Sequence, residues 1–337
     1  MFFKNILGHE FQKRSLLRAV GDSRISHSYL FFGPEGVGKR LVAVEFAKVL
    51  NCIETFEEEL ESERGPCGCN SCKKIDKGIH PDVFLVEYKG VKDIKVDQIR
   101  EEVEERLFLK PFEGRFKVAI IDEAERMNPN AQNAFLKTLE EPPADSIIIL
   151  ISSQPELLLP TIRSRCQLLE FTGISDEIMV DQIKKRTDLS TEEAWVAAKL
   201  SYGSLGRALS FDKEALAERK EMLVRLSNIN PLYSSHVLGF LESIQKGSSW
   251  DDMEKVSFLF EVVSLWLRDL ALVKLGFEQD ALTNRDLSSL ASSLAGRWSV
   301  DNILDKMKFL HDARYAIFRG NANKQIVLEN LIMRIAE

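Results

Sequence analysis

No run in this sequence approaches the roughly 18 apolar residues a helix needs to cross a bilayer. The opening residues, Met1-Phe2-Phe3-Lys4-Asn5, lack the charged-then-apolar layout of a secretory signal. These absences predict a cytoplasmic protein with no membrane partner. An excess of positive charge is missing too. The 52 acidic residues outnumber the 45 basic ones and leave a formal net charge of −7, which argues against a chain that grips nucleic acid over its whole surface. Local phosphate contacts stay open, because backbone amides and helix N-termini bind phosphate without net positive charge. Cysteine is scarce, five in 337 residues, yet three fall within six positions. In a reducing compartment such crowding favours a metal over disulfides.

What is present is ordinary globular composition, 45% hydrophobic and 29% charged, over a length that exceeds one core and predicts two or three domains. Up to about residue 170, β-rich runs alternate with helical patterns. The strand candidates are Ser28–Phe32, Val83–Glu87, Phe116–Ile121, Ser146–Ser152 and Gln167–Phe171. Several are apolar on both faces, as strands buried in a parallel sheet are. Helices are expected over Leu41–Leu50, over Val96–Leu107, and from Asn128-Pro129, a good N-cap before a preorganised first position, to the stop at Pro142-Pro143. This predicts an α/β P-loop module with a parallel sheet over residues 1–171. Residues 172–212 read as a small all-helical lid and residues 213–337 as an all-helical C-terminal domain, with three-to-four apolar spacing over Val256–Leu275 and Ile303–Arg319. The acidic stretch Glu54–Glu63 reads as a solvated loop or helix face.

Gly33-Pro34-Glu35-Gly36-Val37-Gly38-Lys39-Arg40 has the spacing G-x-x-x-x-G-K between a β-run and a helical run. Gly33, Gly36 and Gly38 let backbone amides turn around phosphate oxygens, and Lys39 reaches toward the terminal phosphates. A hydroxyl belongs at the next position to coordinate magnesium. Arg40 stands there, and a guanidinium cannot ligate a metal ion. ATP with magnesium is therefore the expected ligand class, with hydrolysis weak or absent. Some 85 residues on, an apolar strand runs into Asp122-Glu123, the Walker B arrangement in which Asp122 holds magnesium through water and Glu123 polarises the attacking water. The same pair also occurs as a solvated strand end. Cys52, Cys67, Cys69 and Cys72 supply four thiolates, enough for a closed tetrahedral structural zinc site. His80 is a further candidate ligand, better read as a packing residue, and Cys166 reads as a small buried residue.

Four segments in order resemble the bacterial clamp-loader family of AAA+ proteins: residues 24–34 (Arg-Ile-Ser-His-Ser-Tyr-Leu-Phe-Phe-Gly-Pro), 122–127 (Asp-Glu-Ala-Glu-Arg-Met), 136–143 (Leu-Lys-Thr-Leu-Glu-Glu-Pro-Pro) and 159–166 (Leu-Pro-Thr-Ile-Arg-Ser-Arg-Cys). The likeness covers the α/β module, touches the lid weakly, and reaches the C-terminal domain mainly at Asn321-Ala322-Asn323. It implies that Arg165 is an arginine finger acting in trans on a neighbour's ATP, that Ser153 is the first sensor and that Arg207 resembles the second. It also implies a zinc module, whose close cysteines usually read C-x-x-C-x-x-C; here the first pair is one residue closer. Within the family, Arg40 and the end at Glu337 without a long extension favour the stator-like delta-prime branch over the gamma/tau motors. The resemblance then implies a DNA polymerase III assembly with gamma/tau and delta subunits, a sliding clamp and primer–template DNA as partners, held together by a C-terminal collar. An active motor ATPase and a zinc-stabilised AAA+ scaffold outside replication are the alternatives.

Overall fold

Strands that are apolar on both faces must be covered on both faces, and the fold meets this with helices on each side of one sheet. The computed structural model describes residues 2–54, 67–87, 93–230, 232–245, 252–318, 320 and 322–337. Most of the acidic stretch Glu54–Glu63, and Asn321, lie outside the described residues. The strands β1 (Ser28–Phe32), β2 (Val83–Val86), β3 (Lys117–Ile121), β4 (Ser146–Ser152) and β5 (Gln167–Glu170) form a parallel sheet in the order β2-β3-β4-β1-β5. Every residue of β3 and β4 is buried, whereas β5, an edge strand, buries only Leu169. On one face, Phe31, Ile120 and Ile149 pack with Val42, Phe46 and Leu50 of α2 (Lys39–Asn51) and Leu16 of α1 (Glu10–Gly21). On the other, Leu30, Ala119 and Ile148 pack with Ile99, Val103, Phe135 and Leu139. Residues one apart on a strand point to opposite faces, which sorts the two cores.

The crossover helices start and stop where local chemistry dictates. Helix α3 (Asn70–Asp76) begins after Cys69 and carries Cys72 in its first turn. The segment expected as one helix over 96–107 is α4 (Val96–Ile99) and α5 (Glu105–Leu107) joined by a π-helical turn at Arg100–Glu104. One extra residue per turn re-aims the helix face, a distortion that a 3.6-residue apolar period does not announce. Helix α6 (Pro129–Glu140) is capped by the Asn128 side chain, which accepts from Ala131 N–H at 2.8 Å, and ends before Pro142. Helix α7 (Pro160–Arg163) is a single turn ahead of β5.

Chain contacts divide the molecule into two compact units, Met1–Ile174 with Tyr202–Gly206, and Ser175–Ser201 with Arg207–Glu337. The second unit is built from helices: α8 (Asp176–Arg186), α9 (Thr191–Leu200), α10 (Leu205–Ala208, shared with the first), α11 (Lys213–Ser227), α12 (Ser234–Gln245), α13 (Met253–Lys274), α14 (Ser288–Ala295), α15 (Val300–Phe318) and α16 (Lys324–Ala336). Helix α13 is its spine and buries Val256, Leu259, Phe260, Val263, Trp266, Leu267 and Leu270 at helical spacing. A buried polar knot ties it to the following loop. Asp269 accepts from Thr283 N–H at 2.9 Å, and from the N–H and Nδ2 of Asn284, each at 2.7 Å. Arg219, 2% exposed, donates to Asn284 Oδ1 and, at 2.6 Å, to Asp286.

Candidate functional site

The parallel register brings the candidate residues to one end of the sheet. Val86 lies beside Ile121, Ile121 beside Leu150, and Ser152 beside Phe32. The next residues, Glu87, Asp122, Ser153 and Gly33, therefore leave the carboxyl ends of neighbouring strands together. Ligands of open α/β sheets bind at such ends, where the strand order reverses.

The phosphate loop from Gly33 to Lys39 is held by its carbonyls. Lys39 Nζ donates to the carbonyls of Gly33 and Pro34 at 2.6 Å each. Ser204 Oγ donates to Gly36 O at 2.9 Å, and His9 Nε2 lies 2.7 Å from Val37 O. Burial lowers the His9 pKa, and because a carbonyl oxygen only accepts, Nε2 is the donor. Carbonyls drawn to these side chains turn the amides of the loop the other way, the arrangement of an anion nest. Gly33, at φ 140°, passes so near Phe171 that a Cβ there would sit 2.0 Å from its carbonyl oxygen, and a Cβ on Gly36, at φ 74°, would meet Ser204 Oγ at 2.3 Å. Gly38, at φ 107°, precedes the first turn of α2. Lys39 is buried, and desolvation lowers its pKa against the pull of Glu125, Asp122 and Glu35.

The acidic strand ends do not meet Arg40 neutrally. Its guanidinium forms an ion pair with Glu87 and lies 3.7 Å from Asp122. Glu123, at φ 47°, directs its carboxylate to Arg126. Glu125 accepts from Ser153 through both N–H, at 3.0 Å, and Oγ, at 2.6 Å. Burial pushes the Glu125 carboxyl up, but these hydrogen bonds prevail and the net shift is down. A magnesium ion bridging Asp122 to a hydroxyl at position 40 does not fit this arrangement, since a cation from the chain already faces the carboxylate. The chain thus brings Gly33, Gly36, Gly38, Lys39, Arg40, Asp122 and Ser153 to one locus. Arg207 belongs to the second unit, where it pairs with Glu261.

Arg165 lies in the turn between α7 and β5. Its Nη2 pairs with Glu140 at 2.5 Å and its Nη1 donates to Thr161 O at 2.9 Å. The turn is pinned by Ser28 Oγ, which donates to the Arg165 carbonyl at 2.6 Å. Cys166, next in sequence, is buried, and burial pushes its thiol up to about 11.

The sulfurs of Cys52, Cys67, Cys69 and Cys72 all lie within 4.8 Å of one another. Cys52 is 3.3 Å from Cys67 and 3.9 Å from Cys69. A tetrahedral zinc with bonds of about 2.3 Å needs sulfur–sulfur edges of about 3.8 Å, so the four residues fit a closed metal site. The Cys67 and Cys69 sulfurs each accept a backbone N–H, from Cys69 and Cys72, at 3.4 Å. Burial pushes the Cys69 thiol up, yet donated N–H groups bring it down to about 7. His80 is not among the clustered ligands. It is buried, its Nδ1 accepts from Asp82 N–H at 3.1 Å, and its Nε2 lies 3.1 Å from Ser71 Oγ, which donates to Asn51 O at 2.8 Å.

Sequence reasoning missed four supports of the site. Glu87, Ser204 and His9 act on it from parts of the chain with no fixed spacing to the motif, and Glu125, three residues after Asp122, acts on it by holding Ser153. Asp82 was missed as well. It is fully buried and accepts from the N–H groups of Phe112, Glu113 and Gly114 at 2.7–2.8 Å and from Lys117 Nζ at 3.0 Å. Burial pushes its carboxyl up, but these donors bring it down to about 2.

A family model described as DNA polymerase III, delta subunit, matches residues 8–175, and a second, for the C-terminal part of the same delta subunit, matches residues 213–337. DNA polymerase III subunit delta' of Pseudomonas aeruginosa is 30% identical over 339 aligned residues, covering 94% of this chain and 93% of the relative. The delta' subunit of Bacillus subtilis is 29% identical over 323, covering 96% and 94%. The gamma subunit of Buchnera aphidicola subsp. Schizaphis graminum is 30% identical over 344, covering 99% and 84%. A parallel-sheet P-loop module followed by helices, matched along its length by these relatives, belongs to the DNA polymerase III delta-subunit family of AAA+ proteins, as a delta'-like member.

Proposed function

We propose that this chain works in the DNA polymerase III clamp loader beside gamma/tau and delta subunits, and presents Arg165 to the ATP of a neighbouring motor subunit. The observation that carries the reading is the state of Arg165. It sits exposed on the turn after α7, anchored through its backbone by Ser28, with its guanidinium paired with Glu140. An always-charged planar fork in that position suits stabilisation of a transferring phosphoryl group on another subunit. In this reading the chain assists loading of the sliding clamp onto primer–template DNA, in the cytoplasm. Residues 1–171 form the AAA+ module, 172–212 the lid and 213–337 the collar. Arg207 acts as the second sensor and Glu123 is the in-cis catalytic candidate. The four cysteines hold a structural zinc that ties the insertion to the end of α2, and the closed sulfur set leaves no ligand position for chemistry.

The test is steady-state MgATP hydrolysis by the chain alone, by a cognate motor subunit, and by the mixture. The expected result is little turnover alone and stimulation in the mixture. R165A should abolish that stimulation, with losses on the order of 10³-fold at the site it serves. Stimulation unaffected by R165A sinks the finger. The retained glycines, Lys39, Asp122 and Glu123 support a second reading, an active motor, and robust turnover by the chain alone would favour it.

A further inference from the structure

Arg40 is the residue that departs from the phosphate-loop pattern, and the structure gives it a definite job. Its guanidinium reaches the acidic ends of two adjacent strands, pairing with Glu87 and lying 3.7 Å from Asp122. Asp122 is the position at which a conventional site holds its divalent cation. A pair this exposed adds little to stability, so its effect is on what the site admits. We infer that Arg40 replaces the metal ion, and that the loop binds the phosphates of a nucleoside diphosphate without any divalent cation.

Two sets of observations lead there. The anion-binding half of the site is intact. Four loop carbonyls are tied to Lys39, Ser204 and His9, and the glycines hold the left-handed φ values that an inward-facing amide nest requires. The metal-binding half is not. No hydroxyl stands at position 40, and Asp122 already faces a positive charge. In metal-dependent sites the ion bridges the second and third phosphates and offsets their charge. Without that bridge a third phosphate adds a negative charge to a locus where Glu35, Asp122 and Glu125 already act on Lys39. The diphosphate therefore binds more tightly than the triphosphate. The inference rests on the nucleotide-site reading of the loop.

Binding of ADP and of ATP to the full chain should be measured by calorimetry, in EDTA and in millimolar magnesium. K39A serves as the control for the site, and R40T as the variant that restores a hydroxyl. The expected result is an ADP affinity that differs by less than about threefold between EDTA and magnesium, ADP at least about tenfold tighter than ATP, and loss of both with K39A. R40T should gain a magnesium dependence of about tenfold or more. Wild-type binding that requires magnesium, or ATP preferred over ADP in EDTA, overturns the inference while leaving the nucleotide site standing. Binding by neither wild type nor R40T overturns both.

Discussion

Asp82 carries more hydrogen bonds than any residue of the phosphate loop, though it touches no ligand position. Together with Asn51, whose Oδ1 accepts from Arg115 and Phe116 N–H at 2.8 and 2.9 Å, it sews residues 112–117 into the turn that launches β3 and thereby fixes Asp122. D82A would leave three amides and the buried Lys117 ammonium without their acceptor, a loss of about 3 kcal/mol in a denaturant titration. The pH dependence follows from the depressed carboxyl. Folded Asp82 titrates at about 2, below the unfolded value of about 3.9. Its contribution is therefore complete above pH 4 and disappears as pH falls toward 2. It amounts to about 3 kcal/mol, and the chain with D82N should lack that component of its acid sensitivity. At this scale the sequence disclosed Lys39, Arg40 and Asp122 because motif spacing fixes them on the chain. It pointed to Arg207 within Gly203-Ser204-Leu205-Gly206-Arg207 and did not point to Ser204, which donates to Gly36 O. Both are polar residues beside glycines, and spacing along the chain does not say which side chain folds back.

Among the elements, the cysteine cluster binds three pieces of chain: the end of α2 at Cys52, the Cys67–Cys69 turn, and the first turn of α3 at Cys72. We expect one equivalent of zinc per chain by metal analysis. Stripping it with a strong chelator, or by C69S or C72S, should destabilise the first unit by about 4 kcal/mol, the effect of a metal at a thousandfold excess over its dissociation constant. Metal-free protein with an unchanged melting curve would refute this. Strands were the most legible elements. Runs such as Ile147-Ile148-Ile149-Leu150-Ile151 have no polar face to expose, so only a doubly covered sheet accommodates them. The cap at Asn128-Pro129 and the stop before Pro142 were equally plain, because each removes or supplies a definite hydrogen bond. The π-helical turn at Arg100–Glu104 was hidden, since Ile99 and Val103 read as apolar positions of an ordinary helix and both are buried in the core.

For the whole molecule, two cores predict two unfolding events. The first unit rests on a covered sheet and the second on α13 and the Arg219–Asn284–Asp269 knot. R219M removes the cation paired with Asp286 and the buried donor to Asn284 Oδ1, the residue that donates to Asp269. It should lower the calorimetric transition of the second unit by about 3–5 kcal/mol and leave the other in place. A single transition shifted as one by R219M would contradict it. The division was only partly readable in advance, because the chain crosses it three times rather than once. Residues 202–206 return to the first unit after the excursion of 175–201. There Gly203 packs against Gly173, its carbonyl accepts from Ile174 N–H at 3.2 Å, and Ser204 latches Gly36. That detour sets an order of events during synthesis. A ribosome adds roughly 5–20 residues each second, and every strand of the sheet has been made before Ser204 is. The nascent sheet can close while the phosphate loop still lacks its latch, so the loop reaches its final shape only after the first two helices of the second unit have left the exit tunnel.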